Sequence, residues 1–179
     1  LGNFGPGEEI RGWERHKISQ LQFTGTKVFG PGNWLRSDQL ALVGEVGFTD
    51  VDLPDNLGFR GDGTDTGGGG DVNSGVGRNP ITQDGGFPTN FSWGYRLALR
   101  ANYDNAWGSA ISLIPRLAVQ HDVNGTTPGP GGSFLDGRKA VTVGMEANYL
   151  SQWAFDIAYT SYFGGGDFNL INDRDFVQI

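Results

Sequence analysis

Residues 91–103 alternate without a break between apolar and polar or small side chains. Phe91, Trp93, Tyr95, Leu97, Leu99, Ala101 and Tyr103 share one parity; Ser92, Gly94, Arg96, Ala98, Arg100 and Asn102 share the other. Period two belongs to a β-strand, so this segment folds as a strand with one greasy and one wet face. Rings occupy both ends of the greasy face and aliphatic residues its middle. Burial in a soluble core gives no reason for that placement. A bilayer does, because amphipathic rings favour its two interfaces. The length also fits the roughly 9–11 residues a tilted strand needs to cross.

The pattern recurs in five further segments. Leu21 and Phe23 oppose Gln20, Gln22, Thr24 and Thr26. Leu40, Leu42, Val46 and Phe48 oppose Ala41, Val43, Glu45, Gly47 and Thr49. Ile111, Leu113, Leu117 and Val119 oppose Ser112, Arg116, Ala118 and Gln120. Val141, Val143, Met145, Ala147 and Tyr149 oppose Thr142, Gly144, Glu146 and Asn148. Trp153, Phe155, Ile157, Tyr159 and Phe163 oppose Ala154, Asp156, Ala158 and Thr160. A seventh strand starts near Phe176. Separated by turn residues, these predict an all-β, antiparallel up-and-down sheet with one continuous apolar face.

Connections alternate in length. Residues around 30–34, 104–108 and 150–152 make short turns, whereas those near 52–90, 123–137 and 164–175 are long and rich in Gly, Asp, Asn and Pro. Short turns on one rim and long loops on the other are the plan of an outer-membrane barrel. The expectation is therefore a transmembrane β-barrel in a bacterial outer membrane, with the long loops outside. Residues 1–179 would be one incomplete barrel segment of about seven strands. Bacterial barrels close with an even number of strands, eight or more. The chain begins at Leu1 and ends at Ile179 within a strand-like run. We therefore expect a C-terminal portion of a longer protein, closed by upstream strands or by other chains.

Composition agrees with this class. No run of about 18 apolar residues is present, so no helix crosses a membrane. Mean hydropathy is −0.35, which barrels share because only alternate residues face lipid. The 179 residues include no Cys and carry a net charge of −7, which argues against a nucleic-acid partner. Outer-membrane lipid and a small-molecule solute are the expected partners.

Two sets of residues stand out. On the wet face Glu45, Arg96, Arg100, Arg116, Glu146 and Asp156 would line the lumen. Counted from the short turns, Arg100, Glu146 and Asp156 lie shallow, and Glu45, Arg96 and Arg116 lie deeper. That depth pairs Glu45 with Arg96 and Arg116 with Glu146. These charges either filter solutes or form a network that satisfies one another inside a narrow lumen. On the greasy face Trp34, Tyr103, Trp107, Tyr149 and Trp153, with Phe29, would form an inner aromatic girdle. Trp93, with Trp13, Phe48, Phe91, Tyr159 and Phe163, would form the outer one.

Catalytic signatures are lacking. His16 and His121 are the imidazoles present, and Asp122 beside His121 points to the opposite face. No P-loop or Gly-Xaa-Ser-Xaa-Gly motif occurs. Asp50, Asp52, Asp55, Asp62, Asp65 and Asp71 fit no calcium-loop spacing and read as a solvated loop. We expect neither catalysis nor a metal or other cofactor. Pro115 falls mid-strand, where it cannot donate a ladder bond.

Three stretches carry a family resemblance. They are Arg11-Gly-Trp-Glu-Arg, Thr26-Lys-Val-Phe-Gly-Pro-Gly-Asn-Trp-Leu and Gln39-Leu-Ala-Leu-Val-Gly-Glu-Val-Gly. With Tyr162-Phe-Gly-Gly-Gly and Asn169-Leu-Ile-Asn-Asp-Arg-Asp-Phe-Val, the chain resembles the C-terminal part of a Gram-negative outer-membrane family, the domain of unknown function 1302. The resemblance implies a large outer-membrane barrel acting as a channel or transporter for hydrophobic or lipid-like molecules. It supplies no catalytic residues. Two other readings use the same strands. One is a soluble barrel with the Trp93–Leu97–Leu99 face turned inward on an apolar ligand. The other is a structural or adhesion barrel that works through its loops.

Overall fold

The computed structural model describes residues 6–9, 13–55, 59, 61, 86–129 and 131–179. Expectations on Asp62, Asp65, Asp71 and most of the 52–90 connection lie outside the described residues. Among the described residues the protein is all-β, apart from two single-turn 3-10 helices at Ala106–Gly108 and Gly166–Phe168. Its strands are β1 (Ile18–Phe29), β2 (Gln39–Val51), β3 (Phe91–Asn102), β4 (Ile111–Asn124), β5 (Lys139–Tyr149), β6 (Trp153–Phe163) and β7 (Phe176–Gln178). They form one seven-stranded sheet in chain order, and each neighbouring pair is antiparallel. β1 and β7 do not pair, so the sheet is not closed.

Outside one bulge between β3 and β4, the registers keep parity across the sheet. Phe48 stands opposite Leu21 and Trp93. Further along, Leu99, Leu117, Val143, Tyr159 and Val177 form one cross-strand row from β3 to β7. A one-residue slip along a whole pair would send a strand's apolar set to the other face; the shift that is seen is confined to a bulge at Trp93/Gly94, at the end of the β3–β4 pairing. The result is one apolar and one polar face, set by period-two patterning in each strand. The apolar face is widely open: Leu97 is 52% exposed, Val143 57% and Phe155 56%. Few apolar side chains are buried. Leu40 and Ala101, opposite each other on β2 and β3, are fully covered.

The two rims differ. One holds the connections 30–38, 103–110 and 150–152; the other holds the end of β2, the start of β3, and residues 125–129, 131–138 and 164–175. Asn33 organises the first short connection. Its Nδ2 donates to the Gly30 and Ser37 carbonyls at 2.9 and 2.7 Å, and its Oδ1 accepts from Leu35 N–H, Ser37 N–H and Ser37 Oγ. The neighbouring connection is tied to it. Asp38 accepts from Asp104 N–H at 2.7 Å, and Tyr103 Oη donates to the Leu35 carbonyl at 2.9 Å.

Pro115 occupies a break in the ladder. Tyr103 and Leu113 exchange both backbone bonds at 2.9 Å, and regular β3–β4 pairing resumes at Arg100 and Arg116. The next bonded pair in that register is Ala101 with Pro115, and the proline ring has no N–H to give. The ladder therefore skips that step while the strands stay in register.

Candidate functional site

The polar face carries the charges in cross-strand rows. Glu45 stands directly opposite Arg96, and Arg96 opposite Gln120. Thr24 donates to Glu45 at 3.4 Å. Two pleat repeats lower, past Ala98, Arg100 stands opposite Arg116. Arg116 stands opposite Gly144, and Glu146 opposite Asp156. Sequence counting sets Arg116 deeper than Arg100; the register puts them level. The eight-residue connection 103–110, with its 3-10 turn, lengthens this side of the hairpin beyond a tight turn.

Pairing follows from that register. Arg116 does not pair with Glu146 but crosses β5 to Asp156, with Nη2 2.6 Å from Oδ1 and Nη1 on Oδ2. Gly144 makes the crossing possible: a Cβ there would lie 2.7 Å from Arg116 Nε and 2.9 Å from Cζ. Arg100 Nη2 takes Glu146 Oε2 at 3.6 Å instead, and Asn148 donates to Glu146 at 2.8 Å. Two cations thus face two carboxylates, so the cluster is neutral overall. Thr142 and Thr160 hydroxyls meet at 2.9 Å in the adjoining row.

Toward the long-connection rim the polar face is covered by residues 125–129 and 131–138. β4 runs on to Asn124, with a bulge where Gly94 pairs with Asp122 but Trp93 pairs with Asn124. Asp122 is only 2% exposed. Its Oδ2 accepts from Leu135 N–H at 3.1 Å and from the Arg138 guanidinium at 2.7 Å. A buried carboxylate needs such partners. Thr127 Oγ1 accepts from Phe134 N–H at 3.0 Å, and Asp136 accepts from Gly125 N–H at 3.0 Å. The sequence reads 123–137 as an external loop; the structure bonds it to itself and to the sheet. Asp122, Phe134 and Arg138 were not legible as site residues. The Phe134–Leu135 pair inside a Gly/Pro-rich run is the one signal that could have found them.

The aromatic residues divide between the rims. Trp34, Trp107, Tyr149 and Trp153 lie at the short connections and are exposed, with Tyr149 opposite Trp153. Tyr103 is part-buried and bonded to the 30–38 connection. At the other rim Phe48 stacks on Trp93 and on Phe91, with ring centroids 6.0 and 6.4 Å apart. Tyr159 lies level with Val143, mid-strand rather than at a rim. His121 packs edge-on against Tyr95 at 5.5 Å, and His16 contacts Phe59 and Glu14. Among the described residues no three His, Asp or Glu side chains gather as a metal site, and no helix is long and apolar enough to cross a membrane.

A family model described as "Protein of unknown function (DUF1302)" matches residues 2–179. No curated protein and no solved structure matches the chain.

Proposed function

The chain belongs to the DUF1302 family of proteins of unknown function, and from that premise we propose that it forms part of an outer-membrane β-barrel that acts as a channel or transporter. One observation carries this reading: an exposed apolar face that runs unbroken over seven strands, backed by a charged polar face. Water leaves so large an apolar surface unsatisfied, whereas lipid tails cover it without cost.

In this reading Leu97, Leu99, Val143 and Ile157 face lipid. Glu45, Arg96, Arg100, Arg116, Glu146 and Asp156 line the passage. Trp34, Trp107, Tyr149 and Trp153 sit at the periplasmic interface, and Phe48, Phe91 and Trp93 at the outer one. The two edges of the sheet need further strands, because unpaired backbone groups in hydrocarbon cost several kcal/mol each. A lining of matched charges and hydroxyls suits the polar end of an amphipathic molecule, so small lipid-like molecules are the proposed cargo.

Flux through liposomes reconstituted with the full-length protein tests this. Uptake of small amphipathic solutes above protein-free liposomes is expected. A protein that stays in detergent-free buffer and does not enter lipid would overturn it.

A further inference from the structure

We infer that residues 125–129 and 131–138 form a strap inside the passage and that the Phe134 ring sets its narrowest section. The consequence for flux rests on the transport reading above; the placement of the strap does not.

The ring lies over two glycines that stand directly opposite each other, Gly47 on β2 and Gly94 on β3. A Cβ on Gly94 would come within 2.9 Å of Phe134 Cε1, and one on Gly47 within 3.3 Å of Cζ. The same Cβ on Gly94 would also meet the His121 carbonyl at 2.7 Å, so the glycine pair leaves no room for a side chain between the β3–β4 wall and the Phe134 ring. The backbone of the ring is held. Thr127 grips Phe134 from both sides, accepting from its N–H and donating to its carbonyl at 3.2 Å. Asp122 clasps the strap through Leu135 and Arg138. The clasp neutralises its own charges, so the strap presents an uncharged ring to whatever passes.

Beneath the ring a cavity of about 260 Å³ remains, bounded by Gln20, Gln22, Glu45, Arg96 and Ser133. The Glu45–Arg96 pair lies one step beyond the glycine pair, toward the short-connection rim. A solute would therefore slide an apolar part past Phe134 and then meet paired opposite charges. That order selects narrow amphipathic molecules over bulky ones.

These 179 residues contain no Cys, so Gln22→Cys, with any Cys elsewhere in the full-length protein replaced by Ser, gives a single reporter beside the ring. We compare its modification by a small methanethiosulfonate and by a maleimide on a polyethylene glycol chain, with and without Phe134→Ala. The bulky reagent should react slowly with the parent and several-fold faster after Phe134→Ala. The small reagent should react at nearly the same rate in both. Phe134→Leu is the substitute should Phe134→Ala fail to fold. Equal bulky-reagent rates in parent and variant would overturn the strap. Single-channel conductance of the same proteins should rise with Phe134→Ala. Conductance that is present but unchanged would overturn the claim that the ring is the narrowest point. No conductance in any protein, with ring-dependent labelling intact, would overturn the transport reading and leave the strap standing.

Discussion

Arg116 on β4 and Asp156 on β6 form a two-point ion pair across the full width of β5, with Gly144 beneath the guanidinium. An arginine here spans a strand because the strand between offers no side chain. Both partners remain about one-third exposed, so water screens the pair and its own contribution to stability is small. Its larger effect is geometric, since it draws Arg116 away from Arg100, the like charge directly opposite.

That geometry makes Gly144 and Arg116 energetically coupled. Gly144→Val should destabilise the folded protein by about 1–2 kcal/mol, by breaking the pair and crowding the guanidinium. After Arg116→Gln the same change should cost much less. Urea unfolding of the four proteins in a double-mutant cycle reads the coupling, and strictly additive losses would show that Gly144 does not serve Arg116.

The two faces should respond oppositely to one added cation. Leu99→Arg puts a charge in the mid-strand apolar row, costing roughly 2–4 kcal/mol if that row meets lipid. Ala98→Arg puts it on the polar face, where water can reach it. Folding yields into liposomes should fall sharply for the first and little for the second. Equal yields would count against the membrane reading.

Asn33 should be the most sensitive residue of the short connections. Its side chain makes two donor and three acceptor contacts within 30–38. Asn33→Ala leaves Ser37, only 2% exposed, short of partners, and should cost about 2 kcal/mol. Asn33→Asp keeps the acceptors, loses the donors and should fall between. An Asn33→Ala protein as stable as the parent would contradict the role given to this turn.

A pH effect should be confined to the last strand. The Asp175 carboxylate accepts from Tyr159 Oη at 2.6 Å, Tyr162 N–H at 2.8 Å and Ser161 Oγ at 2.8 Å. These bonds favour the ionised form and hold its pKa below the ordinary 3.8, with the Tyr159 bond the largest cause. A lowered pKa contributes stability that is present above the unfolded value and lost as pH falls through the folded one. Amide protection of β7 should therefore hold from neutral pH to about pH 4 and decline below it. In Asp175→Asn it should be weaker at neutral pH and flat across that range. Parallel declines in both proteins would assign the effect elsewhere.

Which face each side chain takes was legible in the sequence; how far each strand slides along its neighbour was not. Alternation fixes parity, so Leu97, Leu117 and Val143 share a face as expected. Register depends on connection geometry, which alternation does not encode. The 103–110 connection, with Trp107 at positive φ, sets the register that puts Arg116 level with Arg100. The Glu45–Arg96 opposition was foreseen and the Arg116–Asp156 pair was not. The run 123–137 was read as a plain loop because Gly and Pro dominate it. Its order comes from side-chain bonds of Asp122, Thr127 and Asp136, which no local pattern announces.

The orientation of the sheet is the central claim, and adjacent residues on β3 test it most directly. Single-Cys proteins Arg96→Cys and Leu97→Cys, in the full-length chain reconstituted into liposomes, are treated with a small membrane-impermeant thiol reagent. Position 96 should label and position 97 should be protected, with the order reversed for a lipid-soluble maleimide. Preferential labelling of position 97 by the impermeant reagent would mean that the Leu97 face meets water, and would contradict the account.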